Sequence, residues 1–362
     1  MLKVAIVGCG KIADSHASQI QRIAGCEIVG VCDKEELMAK QLYDRFHVKQ
    51  YFSDLNELLD ETHPDVVHIT TPPQNHFETG RQCLEMGCHI YVEKPFTLHT
   101  TEAEKLIALA NQTGRKLTVG HDEQFSHVER RMRKLVRDGY LGGPPVHLES
   151  AWCYDLGDVA YAKALLGDKR HWARTLPGGL LHNTISHGIA KVAEFLTSDS
   201  PHVIAHGFVS PFLKKIGEYE IIDELRVIIH EEQGTTAYFT FSSQMRPSLH
   251  QLRIYGQQNG LLLDEDQRIL IKLPGKRFKS YAEKFIPSLI NVEQYLSNFF
   301  TNVRLFLAMD FHMDSDKKHL IESFYRSIID GRPVPIPYRE ILLNSRIMDA
   351  IFEQIGIKHR YF

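Results

Sequence analysis

Three clusters of residues have types and spacings suited to chemistry, and the first opens the chain. Gly8-Cys9-Gly10 is followed by Lys11, Ile12 and the small Ala13, directly after the apolar run Val4–Val7. Glycine permits a tight strand-to-helix turn and lets a pyrophosphate come close to the backbone, where the helix dipole favours an anion. Asp33 stands 23 residues after Gly10, at the end of the next apolar run. A carboxylate there can accept hydrogen bonds from both adenosine ribose hydroxyls and repels a 2′-phosphate. The pattern predicts dinucleotide binding and favours NAD over NADP, with Lys34 softening that discrimination. A glycine turn beside a solvated aspartate is the plainer alternative.

The second cluster is Glu93-Lys94-Pro95, which closes the run Ile90-Tyr91-Val92. Ligands of doubly wound sheets bind beyond the carboxyl ends of the strands, so Lys94 is aimed into the cofactor crevice unless it is an ordinary surface lysine. Third comes the basic, aromatic stretch Lys169-Arg170-His171-Trp172-Ala173-Arg174. Through Trp172 and Arg174 it could meet a substrate carboxylate or phosphate, or it could be a solvated loop. The 20 histidines form no convincing ligand set. His202 and His206 would stand ~13 Å apart along a strand, and His182 and His187 point in different directions on a helix. No metal is expected.

These groups need a scaffold, and the apolar pattern supplies one. From residue 3 to about 120, short apolar runs at 4–7, 27–32, 66–70, 90–93 and 116–119 alternate with helical spacing at 11–24, 34–46, 74–86 and 100–113. That succession reads as an α/β doubly wound parallel sheet, a Rossmann domain over 1–120. Beyond Gly120 the texture changes to one helix at 128–137 and longer strands at 146–154, 203–209, 222–231, 235–243 and 249–256. Helices are expected at 180–196, 290–308, 315–330 and 339–355. The range 121–362 is read as an α+β domain with a large, mostly antiparallel sheet for substrate binding and oligomerisation. Its C-terminal helix is a candidate to return to the first domain.

Composition excludes several classes. With 43% hydrophobic and 24% charged residues and a net charge of −3, the chain resembles an ordinary globular protein and offers no general attraction to nucleic acid or an anionic membrane. No run is long enough to span a bilayer, and the N-terminal apolar run is too short for a signal peptide. Six cysteines without CxxC pairing read as reduced core thiols of a cytoplasmic protein.

Taken together, the motifs resemble those of the glucose–fructose oxidoreductase/inositol dehydrogenase (Gfo/Idh/MocA) family. The resemblance rests on Gly8-Cys9-Gly10-Lys11-Ile12-Ala13, Thr70-Thr71-Pro72-Pro73-Gln74-Asn75-His76, Glu93-Lys94-Pro95 and the stretch Pro177–His187, in the family's order. It implies that Thr71, Pro72, Asn75, His76 and Glu93 join the turn residues and Asp33 in cofactor binding. It implies further that Lys94 contacts nicotinamide ribose and substrate, and that the glycine-led helix supplies a polar pair, here Asn183 and His187, which also bind substrate. Most members show Asp where this chain has Asn183; Asn orients a hydroxyl but cannot take a proton as carboxylate does. Members acting on nucleotide-linked sugar acids are similar in carrying Asn there. His121-Asp122-Glu123-Gln124-Phe125 also departs from the family's basic Asn-Arg-Arg-Phe.

The function implied is hydride transfer between nicotinamide and a secondary alcohol of a sugar, cyclitol or nucleotide-sugar-like substrate. Either Lys94 polarises the oxygen while His187 exchanges the proton, or the reverse. An NAD-dependent glycoside hydrolase working through transient oxidation and a non-catalytic NAD sensor are the alternatives. A homodimer or homotetramer is expected through a sheet face bearing Ile222, Glu224, Arg226 and Ile228 beside Tyr238, Thr240, Arg253 and Tyr255. The aromatic stretch 285–313, preceded by Lys276 and Arg277, reads as a packed helix or subunit contact, or as a membrane-surface contact.

Overall fold

The computed structural model describes residues 1–155, 166–169, 171–232, 234–275, 278–279, 281–311 and 314–356. It resolves two units, Met1–Phe125 with Asp314–Arg346, and Ser126–Met313 with Ile347–Phe362. The range 121–362 expected of the second domain is therefore interrupted. More than a terminal helix returns to the first unit, because Lys317, Leu320, Ile321, Phe324 and Tyr325 are all buried there.

The first unit is built on β1 (Leu2–Val7), β2 (Cys26–Cys32), β3 (Tyr51–Phe52), β4 (Val66–Ile69), β5 (His89–Val92) and β6 (Leu117–Val119). All pair in parallel, in the order β3-β2-β1-β4-β5-β6. The strands read as unbroken apolar runs because helices cover both faces of such a sheet. The connecting helices are α1 (Lys11–Ile20), α2 (Glu36–Phe46), α3 (Leu55–Thr62), α4 (His76–Glu85) and α5 (Thr100–Thr113). Asp54 caps α3 by accepting from the N–H groups of Asn56 and Glu57, and Gly114 ends α5 in the left-handed region at φ 65°. The strand order reverses between β1 and β4, the switch point where ligands of such sheets bind.

In the second unit, α6 (His127–Arg137) leads to β7 (His147–Asp155), followed by α7 (Gly179–Thr184), α8 (Ser186–Ala193), β8 (His202–Phe208) and α9 (Pro211–Lys215). Then come β9 (Glu224–His230), β10 (Thr236–Ser242), β11 (Gln244–Tyr255), β12 (Asn259–Asp264) and β13 (Ile269–Pro274). The seven strands run β13-β12-β11-β7-β10-β9-β8, antiparallel except where β10 meets β7. One face is apolar and buried through Leu225, Val227, Ile229, Ala237, Phe239, Phe241, Leu252 and Ile254. The alternation of period two predicts that face directly. The other face exposes Arg226, Ile228, Tyr238 and Arg253, with Tyr255 half-buried. Glu224 is buried, because Ser242 Oγ and the Arg226 guanidinium hold its carboxylate at 2.6 and 2.9 Å.

Three helices close the chain: α10 (Ala282–Leu307), α11 (Ser315–Ile329) and α12 (Tyr338–Gln354). The first starts eight residues before the expected 290 and carries Pro287 inside it. No helix among the described residues is long and apolar enough to cross a membrane. All six cysteines are free, five of them buried.

Candidate functional site

Gly8 sits at φ 93°, and a Cβ there would fall 2.6 Å from the Thr71 backbone nitrogen. Only glycine lets the β1 and β4 ends come this close. The turn is held by Gly8 N–H donating to Cys32 O at 2.8 Å and by Thr70 Oγ1 donating to Gly8 O at 2.6 Å. Gly10 precedes α1 with nothing within 4 Å of where its Cβ would stand, which leaves the helix N-terminus open to an anion. Lys11 and Ile12 flank the opening, both exposed.

Asp33 Oδ2 accepts from Cys9 N–H at 2.7 Å, and Oδ1 accepts from Glu35 N–H at 3.0 Å. The carboxylate is thus fixed by two backbone donors and keeps further lone pairs for ribose hydroxyls. Cys9 contributes its backbone; its thiol is buried, and burial followed by the nearby Asp33 raises its pKa far above the ordinary range.

At the end of β4, Pro72 and Asn75 are exposed and Thr71 is half-buried. Thr71 Oγ1 is buried without a hydrogen-bond partner among the described residues, an orphan that a ligand would satisfy. The residues of this turn fit a dinucleotide. His76 is placed differently from its neighbours. It is fully buried, with Nδ1 2.9 Å from Pro95 O and Nε2 2.9 Å from Thr71 O. Burial lowers its pKa, and a neutral ring donates to one of these carbonyls only. It lies between the Thr71 loop and the Lys94-Pro95 turn with both ring nitrogens directed at backbone carbonyls.

Lys94 is joined to Pro95 by a cis peptide. Burial lowers its pKa, Glu93 and Asp122 oppose that shift, and Lys317 adds to it. Glu93 itself is buried in a network that no motif announces. Its Oε1 takes His16 Nε2 at 2.8 Å and Lys317 Nζ at 2.9 Å, and Lys317 reaches Asp122 Oδ2 at 3.2 Å. Burial works against the Glu93 carboxylate, yet Lys317 and then His16 hold its pKa well below the usual range. Beyond His16 the chain continues, with His16 Nδ1 2.7 Å from His68 Nδ1 and His68 Nε2 2.8 Å from the Tyr325 hydroxyl.

Burial lowers the pKa of both histidines, and two neutral rings leave one consistent assignment of protons. Tyr325 O–H donates to His68, His68 N–H to His16, and His16 N–H to Glu93. Tyr91 stacks on His68 at 4.7 Å. A histidine inside the apolar strand Val66-Val67-His68-Ile69 was the available signal, since a polar group in a parallel-sheet core needs a partner.

In the second unit the helix expected over 180–196 is divided at Ile185 into α7 and α8. The turn is scarcely disturbed: Ile185 N–H still donates to Leu181 O, and Ile189 N–H to Ile185 O, both at 3.0 Å. Across residues 180–193 every residue is buried except Asn183 and His187, which are half-buried and, four apart, share one face. His187 packs on Trp152, ring centroids 5.5 Å apart. Trp152 also meets His250 at 4.3 Å, and His250 Nδ1 lies 2.7 Å from Asp266 Oδ1. Lys191, under Trp152, pairs with Glu129 and Glu265 at 2.8 Å each. Sequence reasoning named none of Trp152, His250 or Lys191.

Trp172 and Arg174 lie on a single 3-10 turn, Trp172–Thr175. Arg174 donates to Glu218 Oε2 at 2.8 Å in a largely buried pair, so its charge is already met by a carboxylate. Arg170, Lys276 and Arg277 lie outside the described residues. No group of metal-ligating side chains occurs among the described residues.

Residues 2–121 match the family model described as "Oxidoreductase family, NAD-binding Rossmann fold", and residues 130–262 match the "GFO/IDH/MocA C-terminal domain". D-glucoside 3-dehydrogenase of Escherichia coli is 32% identical over 142 residues, 39% of this chain and 40% of that protein. Alpha-N-acetylgalactosaminidase of Shewanella oneidensis is 26% identical over 207 residues, 54% of this chain and 44% of that protein. The chain thus aligns with less than half of either relative. In fold it is similar to the WlbA dehydrogenase from Bordetella pertussis, solved with NADH and UDP-GlcNAcA. The TM-score is 0.74 at 15% identity, over 98% of this chain and 95% of that one.

Proposed function

Because the chain belongs to the Gfo/Idh/MocA family of NAD-binding oxidoreductases, we propose that it transfers a hydride between nicotinamide and a secondary alcohol of a sugar-like substrate. The observation that carries this reading is that Asn183 and His187 alone are left half-buried along the otherwise buried 180–193 segment. A core helix has no packing reason to open at two polar residues four apart. Bound NAD supplies the hydride acceptor, and the remaining tasks fall to this chain.

Oxidising an alcohol removes its proton as hydride leaves, so the oxygen needs a polariser and an acceptor. Lys94, with its pKa lowered by burial, polarises the oxygen; His187 exchanges the proton; Asn183 orients the hydroxyl. The exchanged assignment of Lys94 and His187 is equally sound chemically. Asn at 183 supports a nucleotide-linked sugar acid as the finer substrate class. A homo-oligomer closed through the Tyr238 face of the seven-stranded sheet completes the reading.

The partial match to a glycosidase supports a second reading, in which oxidation is transient and a glycosidic bond is cleaved. Incubation with NAD and a panel of sugars, cyclitols and nucleotide sugars tests both. Steady NADH formation supports the dehydrogenase. Glycoside cleavage without net NADH supports the hydrolase. Tight NAD binding with neither, across the whole panel, would leave an NAD sensor.

A further inference from the structure

Helix α10 is turned inside out. Its inward side is polar. Gln294 Oε1 accepts from Lys272 N–H at 2.7 Å while Nε2 donates to Lys272 O at 3.1 Å. One turn on, Asn298 accepts from Leu270 N–H at 3.2 Å and donates to Leu270 O at 3.0 Å. Asn302 Nδ2 donates to Arg268 O at 3.2 Å. Asn298 is the one fully buried residue of the helix.

The outward side is apolar. Phe285, Leu289, Val292, Leu296, Phe299, Val303 and Phe306 are separated by 4, 3, 4, 3, 4 and 3 residues. At about 100° per residue they form one stripe about 100° wide, centred opposite Gln294 and Asn298. Their exposure runs from 38% at Val303 to 68% at Leu289.

We propose that this stripe is a heptad seam that pairs with the α10 helix of a second copy of this chain. Apolar residues repeating every 3.5 positions over three heptads are the pattern that keeps a helix facing another helix along its length. Tyr295, Phe300 and Leu307 are exposed beside the seam and add to the apolar contact it offers. The size fits as well. Three exposed Phe, two Leu and two Val offer about 800 Å² per copy, the amount one partner contributes to a standard stable interface. The charge also fits. Between Phe285 and Val303 the single charged residue is Glu293, with Lys284 and Arg304 at the two ends, so the middle of the seam sets no like charges against a second copy. A self-complementary helix pair closes under a two-fold axis and needs no other protein. The surface is distinct from the Tyr238 sheet face, and its assignment does not depend on the catalytic reading.

The test is the mass of the full chain by light scattering at micromolar concentration, for wild type, Leu296→Glu and Phe299→Glu. Both substitutions fall on exposed positions, so melting temperature should hold while the mass drops to half. A monomeric wild type, or an unchanged mass in both variants, overturns the proposal. Cosedimentation of wild type with phosphatidylcholine–phosphatidylglycerol vesicles, lost in Leu296→Glu without any change in mass, also overturns it and gives the face to a membrane. Leu296→Cys with a bismaleimide provides a readout that needs no disruption: a covalent dimer is expected, and its absence counts against the seam. Tyr238→Glu should leave that cross-link intact, which separates this contact from the sheet-face one.

Discussion

Lys317 Nζ lies 2.9 Å from Glu93 Oε1, although 224 residues separate them in the chain. Both are buried, and the pair stands directly before Lys94. A buried carboxylate deprived of its cation is left uncompensated, which typically costs about 3–5 kcal/mol. Lys317→Met should lose stability of that order in urea denaturation. Adding Glu93→Gln should recover much of it, because the double variant no longer buries an unpaired charge. Additive losses would show that the pair is not the source.

Lys94→Ala should lower turnover on the true substrate by at least about a hundredfold, the lower end of acid–base contributions, while NAD affinity changes far less. His187→Ala should act similarly. Asn183→Ala should raise KM more than it lowers kcat, since it removes positioning and no proton transfer. Near wild-type turnover in Lys94→Ala would refute the assignment. A gain in Asn183→Asp would show that a relay carboxylate can be restored.

The preference for NAD rests on Asp33, whose carboxylate also holds the Cys9 and Glu35 N–H groups. Asp33→Asn retains an acceptor and removes the charge, so it is cleaner than alanine. Calorimetry should show NAD(H) bound more tightly than NADP(H) by wild type and a narrower gap in Asp33→Asn. Equal affinities in wild type would refute the preference.

Acid should destabilise the protein through its buried neutral histidines. Burial, aided by Lys94, lowers the His121 pKa to about 3 from the ordinary 6.5. The unfolded chain therefore binds a proton that the folded one refuses as pH falls from 6.5 towards 3. Stability is unaffected above 6.5 and falls by up to about 1.4 kcal/mol per pH unit below it for each such group. His16, His68 and His76 shift in the same direction. Denaturation measured between pH 7 and pH 5 should steepen accordingly, and His121→Gln should reduce the slope by one proton. A slope unchanged by that substitution would refute the role given to His121.

The first unit was legible because a doubly wound sheet repeats a local pattern, an apolar run followed by helical spacing. It failed at Tyr51–Phe52 and Leu55–Thr62, where a two-residue strand and a two-turn helix are too short to show a period. In the second unit, β12 and β13 were missed because Leu261-Leu262-Leu263 and Ile269-Leu270-Ile271 run without alternation, and Pro287 hid the first turns of α10. The glycine turn and Asp33 could be read because they fall at a fixed interval within one short strand-turn-helix-strand stretch. The Glu93 network could not, since His16, His68, Lys317 and Tyr325 come from four separate elements and meet only in the fold.

The expected sheet-face contact is open to the same mass measurement. Tyr238 is half-exposed, with His147 packed against it at 4.8 Å. Tyr238→Glu should lower the wild-type mass without affecting the melting temperature; an unaltered mass would remove this face from the assembly.

The amides of Gln294 and Asn298 have a counterpart at the far end of the same sheet. Gln354 Oε1 accepts from Ala205 N–H at 3.0 Å, and its Nε2 donates to Val203 O at 2.8 Å, on the outer edge of β8. A bare edge strand is a template for another strand, the route to fibrils and domain swapping. Here each edge is stoppered by a helix that presents side-chain amides as a substitute for the missing neighbour. Seven strands are therefore the full width of this sheet, and strand-by-strand growth is denied at both ends even though one face is left bare for a partner.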